Sequence, residues 1–215
     1  YKKSFTKWVA NPYVKKLIFV ENSGYDLSFF KELKKNYKSK DIEIISCKTN
    51  NDYPRHLGKG YGESLCLKEI VEKSNLFKNS KNFIAVTGRH YVKNYENFIK
   101  EFKKSEKDIF LNLRDNLKFA DTNCYGGSSK FLVNYLLPET QKVNDSEGRY
   151  FEHCAANAAL KAIADGCVFE QQSVYVDIEG YIASNGKKYK TNFFKKIRLF
   201  FYGKIKKYFF KNFRY

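Results

Sequence analysis

The sequence predicts an α/β domain with a mostly parallel, doubly wound sheet flanked by helices. Three observations predict it. Short continuous apolar runs of strand length recur, stretches with helical apolar spacing lie between them, and several runs end in Asn, Ser, Thr or Gly. The 215 residues match what one core can fill. A hydrophobic fraction of 43% with 18% aromatics excludes a disordered chain, while 29% charged residues and a mean hydropathy of -0.59 indicate a solvated surface.

In chain order, a short helix around Phe5 and Val9 leads to the apolar run 17–20, which stops at Asn22-Ser23-Gly24 and reads as a buried parallel strand. Leu27, Phe30, Leu33 and Tyr37 recur at helical spacing with Asp26 placed to cap, and 42–45 form the next strand. Residues 49–62, with Pro54 and three glycines, read as a loop, followed by a helix through Leu67, Ile70 and Val71. Residues 83–86 make a third buried strand ending in Thr87-Gly88-Arg89. Phe98, Ile99 and Phe102 mark a helix, and 109–113 a strand.

Gly126-Gly127-Ser128-Ser129 reads as a loop, 131–137 as a helix, and 148–165 as a longer helix whose inner face is Phe151, Cys154, Ala155, Ala158 and Ala162. A last strand is expected at 174–176. The chain holds no Met and begins at Tyr1, so a strand preceding residue 1 is expected.

The net charge of +17 favours nucleic acid, anionic lipid or phosphorylated partners, and its location discriminates among them. Residues 187–215 hold eleven Lys and Arg and no Asp or Glu, leaving +6 on residues 1–186. Phe193, Ile197, Phe200, Phe201, Ile205, Tyr208, Phe209 and Phe213 recur among those lysines, interrupted at Gly203. This amphipathic, basic helical tail fits an anionic membrane surface, or packs its aromatics onto the domain. The expected division is therefore a folded domain at 1–186 and a membrane-associating tail at 187–215. Five cysteines without a CxxC spacing signal neither a disulfide framework nor a zinc site, and are expected as reduced thiols in the cytosol. No apolar run reaches the roughly 18 residues of a spanning helix, and no secretory leader is visible.

Three motifs fall at one predicted sheet edge, where open α/β sheets bind ligands: Glu21-Asn22-Ser23-Gly24, Gly58-Lys59-Gly60-Tyr61-Gly62-Glu63 and Thr87-Gly88-Arg89. The glycine stretch lets backbone amides approach a phosphate, with Lys59 adding charge, although it matches neither the P-loop nor the dinucleotide fingerprint. An ordinary glycine turn reads it equally well. Arg89 could grip a diphosphate with its planar fork, or be a surface residue of a turn. Glu152 and Asp145 are the carboxylates placed for general-base work, though a first-turn carboxylate also serves the helix dipole. His56, His90 and His153 lack paired metal ligands, and Ser128 and Ser129 lie in no G-x-S-x-G elbow.

In this order, Val20-Glu21-Asn22-Ser23-Gly24-Tyr25-Asp26-Leu27-Ser28, the 58–63 stretch, Val86-Thr87-Gly88-Arg89-His90 and Asp145-Ser146-Glu147-Gly148-Arg149-Tyr150-Phe151-Glu152-His153 resemble small bacterial glycosyltransferases of surface polysaccharide assembly. The resemblance covers about residues 5–180. It implies a GT-A-like, Rossmann-type fold and a nucleotide-sugar donor held by Glu21, Asn22, Ser23, Gly24, Lys59, Gly60, Thr87, Gly88 and Arg89. Glu152, or secondly Asp145, would be the base toward a lipid-linked or lipooligosaccharide acceptor. The usual Asp-x-Asp metal motif is replaced by Thr87-Gly88-Arg89, and the Asp177/Glu179 pair follows a later strand. That leaves divalent metal open, with Arg89 and Lys59 expected to neutralise the diphosphate. The expected location is cytoplasmic, peripheral on the inner face of the cytoplasmic membrane. The rivals are a nucleic-acid-binding protein, against which the confinement of charge to the tail argues, and a non-catalytic membrane module.

Overall fold

The computed structural model describes residues 1–47, 53–181, 186, 188–189, 201–205 and 208–209. Tail positions Phe193, Ile197, Phe200 and Phe213 and loop residues 49–52 lie outside the described residues.

The first unit is a small parallel pair. β1 (Lys16–Glu21) and β2 (Asp41–Ser46) run in register from Lys16 opposite Asp41 to Glu21 opposite Ser46. Parallel neighbours need a crossover, supplied here by α2 (Ser28–Lys35). The Asp26 carboxylate accepts the Ser28 amide at 3.0 Å and so holds the start of that helix. α1 (Lys2–Ala10) buries Phe5 and Val9 against Phe19, Phe30 and Ile42, with the Phe5 ring 5.0 Å from Phe19 and 5.1 Å from Phe30.

The second sheet has the order β3 (Asn82–Val86), β6 (Phe119–Ser128), β5 (Ile109–Arg114), β7 (Phe169–Gln171). β6 is antiparallel to both neighbours, and only β5 with β7 is parallel. The described fold is therefore mixed α/β, and the expectation of a mostly parallel sheet is corrected. The cause is Gly126-Gly127-Ser128, which ends the ten-residue strand β6 and is not a loop. Both glycines are needed for close approach: a β-carbon at Gly126 would lie 2.8 Å from the Phe83 carbonyl oxygen, and one at Gly127 only 2.4 Å from that of Asp108. Gly127→Ala is accordingly expected to lower stability by about 1–3 kcal/mol, since backbone must shift. A urea midpoint equal to wild type would contradict this packing of β6.

The 174–176 strand is also corrected. There the backbone is satisfied by side chains: the Glu101 carboxylate accepts the Ser173 amide at 3.2 Å and the Val174 amide at 2.9 Å. Asn94 donates to the Tyr175 carbonyl at 2.7 Å and accepts the Asp177 amide at 2.9 Å. Pairing resumes just beyond, where β8 (Ile178–Glu179) lies antiparallel to β4 (Tyr91–Val92).

Helices cover both faces of the larger sheet. α3 (Gly58–Lys73), α4 (Asn75–Lys78), α6 (Ser129–Phe131), a π-turn at Leu132–Leu136, α7 (Leu137–Thr140) and α8 (Phe151–Ala164) close one face. The small residues Cys154, Ala155, Ala158 and Ala162 let α8 pack closely there. α5 (Tyr95–Phe102) buries Phe98 and Phe102 against Phe110 on the other. Among the described residues no helix is long and apolar enough to cross a membrane.

The chain beyond 180 returns to the domain before its helical tail. Tyr181 bridges Lys188, and the Tyr189 hydroxyl donates to Asn123 at 3.3 Å. Residues 201–205 and 208–209 are helical. Phe201, Tyr202, Ile205, Tyr208 and Phe209 are exposed, and the helix touches the domain at Gly203, where a β-carbon would lie 2.1 Å from the Ser173 carbonyl oxygen.

Candidate functional site

A cavity of about 620 Å³ lies between β1 and β3, and Asn22, Lys59, Glu63, Thr87, Gly88 and Arg89 line it near the carboxyl ends of these strands. β1 delivers Glu21, whose buried carboxylate accepts the Ser23 and Tyr25 amides, each at 3.0 Å, and also the Ser23 hydroxyl. Glu21, Ser23 and the left-handed Gly24 (φ 75°) thus build the loop, and Asn22 is its member that faces the cavity. β3 delivers a tight turn in which the Thr87 carbonyl accepts the His90 amide at 2.8 Å. Gly88 lies under Tyr1, whose ring would sit 3.5 Å from a β-carbon there. Arg89 follows with its Nε buried and without a hydrogen-bond partner among the described residues. An unsatisfied guanidinium donor at a cavity wall is costly, and an anion relieves it.

The glycine stretch is not a loop before a helix but the start of α3 itself. Asp145, in a short 3-10 turn (Asp145–Glu147), presses its carboxylate against Gly58, where a β-carbon would fall 1.7 Å from Oδ2. That carboxylate accepts the Lys59 amide, which lowers its pKa, while burial, the larger effect, raises it above the ordinary value. Asp145 therefore occupies the anion position at the amino end of α3. Gly60 lets α3 approach α8, since a β-carbon there would lie 2.9 Å from that of Phe151. Of this stretch, Lys59, Gly62 and Glu63 line the cavity.

Glu63 is the residue that sequence reasoning did not single out. Burial pushes its carboxyl up to about 7, the negative charge of Glu152 adds to the rise, and the Arg89 guanidinium opposes it. Glu152 stands in the first turn of α8, partly buried. Tyr189 completes the neighbourhood: burial raises its hydroxyl pKa, Arg89 opposes the rise, and Asp121 and Glu152 add to it. Arg89 and Glu63 thus share the cavity wall, while Glu152 and Tyr189, which do not line it, are near enough to act on them electrostatically.

Most of the remaining candidates have structural partners. His153 Nδ1 lies 3.1 Å from the Gly148 carbonyl oxygen, and buried His90 places Nε2 3.1 Å from that of Tyr181, burial lowering its pKa. His56 is exposed. Asp177 pairs with Lys93 at 3.2 Å, and Glu179 is held by Lys7 and Lys3. No group of three His, Cys, Asp or Glu able to hold a metal ion occurs among the described residues.

The Glu63 acid has a pH signature. Unfolded, its carboxyl ionises near the ordinary 4.5, whereas folded it holds its proton to about 7. Between those values the native state binds more protons, so stability falls as pH rises through the window, by on the order of 3 kcal/mol once it is passed. Glu63→Gln is therefore expected to gain stability relative to wild type at pH 8 compared with pH 5, read from urea midpoints. A difference between the two proteins that does not change with pH would contradict this environment for Glu63.

No family model matches this chain, and no curated protein matches it. Among solved structures, the crystal structure of HddC from Yersinia pseudotuberculosis is similar over 62% of this chain and 64% of that one, with 14% sequence identity and a TM-score of 0.38. The match thus spans less than two thirds of that protein, and a superposition so loose carries no argument about activity.

Proposed function

We propose that the protein is a nucleotide-sugar-dependent glycosyltransferase that acts on a lipid-linked or lipooligosaccharide acceptor in cell-surface polysaccharide synthesis. The observation that carries this reading is Arg89, whose buried, unpartnered Nε sits beside a cavity also lined by Asn22, Lys59 and Thr87. A guanidinium there suits a diphosphate, and stabilises the charge that grows on it as the glycosidic bond breaks. The acceptor hydroxyl attacks the anomeric carbon, Glu152 takes its proton, and the nucleoside diphosphate leaves against Arg89 and Lys59. Glu152 is preferred to Asp145 because the Asp145 carboxylate already accepts the Lys59 amide. Incubation with labelled nucleotide sugars and a membrane lipid fraction, with and without divalent metal, tests the reading. Label should enter the lipid fraction, and no transfer from any donor would overturn it.

Work at the inner face of the cytoplasmic membrane belongs to the same proposal. Phe201, Tyr202, Ile205, Tyr208 and Phe209 are exposed on a basic tail. A fully buried Phe contributes about 1.5–3 kcal/mol, and each lysine near an anionic leaflet up to about 1 kcal/mol. Because Tyr189 packs on the domain, the informative truncation falls after that residue. It is expected to abolish sedimentation with anionic vesicles while a soluble acceptor analogue is still used. Undiminished vesicle binding would contradict the membrane role.

A further inference from the structure

The cavity extends well beyond the site just described, along two strands of the fold. β1 bonds β2 along one edge and β3 bonds β6 along one edge, while their other edges pair with no described strand. Between those free edges the cavity is lined by residues 16–20 of β1 and 82–86 of β3, almost their whole length. Trp8, Tyr95 and Phe102, from the core on one face of the sheet, line it as well. So do Leu67, Phe77 and Leu132, from the core on the other face. The gap therefore lies in the plane of the sheet, with a covering layer already in place on either side.

The burial of the two strands agrees. Continuous apolar runs such as Leu17-Ile18-Phe19-Val20 and Phe83-Ile84-Ala85-Val86 mark strands covered on both faces. Yet Leu17, Ile18, Val20 and the whole 83–86 run are only partly buried. Unpaired backbone groups beside an apolar cavity are also costly, and one extended segment between the two edges would satisfy both rows.

We infer that this cavity seats a further β-strand: an extended, mainly apolar polypeptide segment joined directly to Tyr1, running parallel to β1 and β3 and uniting the two sheets. The position of Tyr1 selects this occupant. Its ring lines the cavity beside Gly88, just past the carboxyl end of β3. A strand leaving the slot at that end passes straight into α1 and then β1. Parallel neighbours require a crossover of a dozen or more residues, usually helical, and residues 1–15, containing α1, provide it. The inference rests on the slot alone and is independent of the proposed activity.

The test compares the 215-residue chain with the product of the complete reading frame, in which the inference places this segment directly before Tyr1. The readouts are amide hydrogen exchange and thermal midpoint. Amides of residues 17–20 and 83–86 should exchange about 100-fold more slowly in the extended protein, with a higher midpoint. Four results would overturn the inference: an upstream stretch too short or too polar to form a strand, exchange that is the same in both proteins, a slot already protected in the 215-residue chain by direct β1–β3 pairing, or protection that depends on protein concentration, which would assign the slot to a second copy. If the shorter chain does not fold, a proline in the middle of the upstream segment of the longer one replaces it. Faster exchange at both edges supports the strand, and unchanged exchange refutes it.

Discussion

Arg89→Ala is expected to weaken nucleotide-sugar binding by roughly 10- to 100-fold, because a charge-assisted hydrogen bond contributes about 1.5–3 kcal/mol and each 1.4 kcal/mol is tenfold. The fold should survive, since the Arg89 Nε makes no hydrogen bond within the described structure. Arg89→Lys should restore only part of the loss, as an ammonium cannot reproduce the planar fork. Titration calorimetry with the preferred donor reads both. Equal affinity in wild type and a folded Arg89→Ala would remove the residue from the site. The same substitution also takes away the positive charge that opposes the rise of the Glu63 pKa, so that carboxyl should titrate higher still.

The second large effect is on turnover. Glu152→Gln keeps shape and hydrogen bonding but cannot accept a proton, and loss of a general base costs about 10²–10⁴-fold. Donor affinity should be nearly unchanged, so the loss falls on kcat. Glu63 provides the internal control for this assignment. With its carboxyl held to about 7, it is half-protonated near neutrality, whereas Glu152 is the neighbour whose negative charge helps to hold it there. A Glu152→Gln enzyme with normal turnover, beside a Glu63→Gln enzyme that is inactive, would move the base to Glu63.

Local signals located β1, β2, β3, β5 and the helical faces, because each element announces itself through its own apolar period. They failed where a distant partner decides. Gly126 and Gly127 carry loop composition, yet they are strand residues because the Phe83 and Asp108 carbonyls approach too closely for any β-carbon. Val174-Tyr175-Val176 carries strand composition, yet Glu101 and Asn94, more than seventy residues away, take its backbone hydrogen bonds. Asn22, Lys59, Thr87 and Arg89 share one cavity because the rule that ligands gather at the carboxyl ends of strands needs only strand order and direction. Glu63 escaped because the start of α3 was expected several residues later. Beginning at Gly58, the helix carries Glu63 into its second turn and onto the cavity wall. The capping role of Asp145 was equally invisible, since it depends on contact with a segment more than eighty residues earlier.

The central claim, that Arg89 and its neighbours hold the diphosphate of a nucleotide sugar, is tested most directly by thermal unfolding of the full chain in a panel of nucleoside diphosphate sugars, with and without divalent metal. A ligand at 100 times its Kd stabilises the native state by about 2.7 kcal/mol, and for a domain of this size each kcal/mol moves Tm by roughly 2–4 °C. At least one donor should therefore raise Tm by about 5–10 °C in wild type and by clearly less in Arg89→Ala. A panel in which no nucleotide sugar moves the wild-type midpoint under either condition, or moves both proteins equally, would contradict the account.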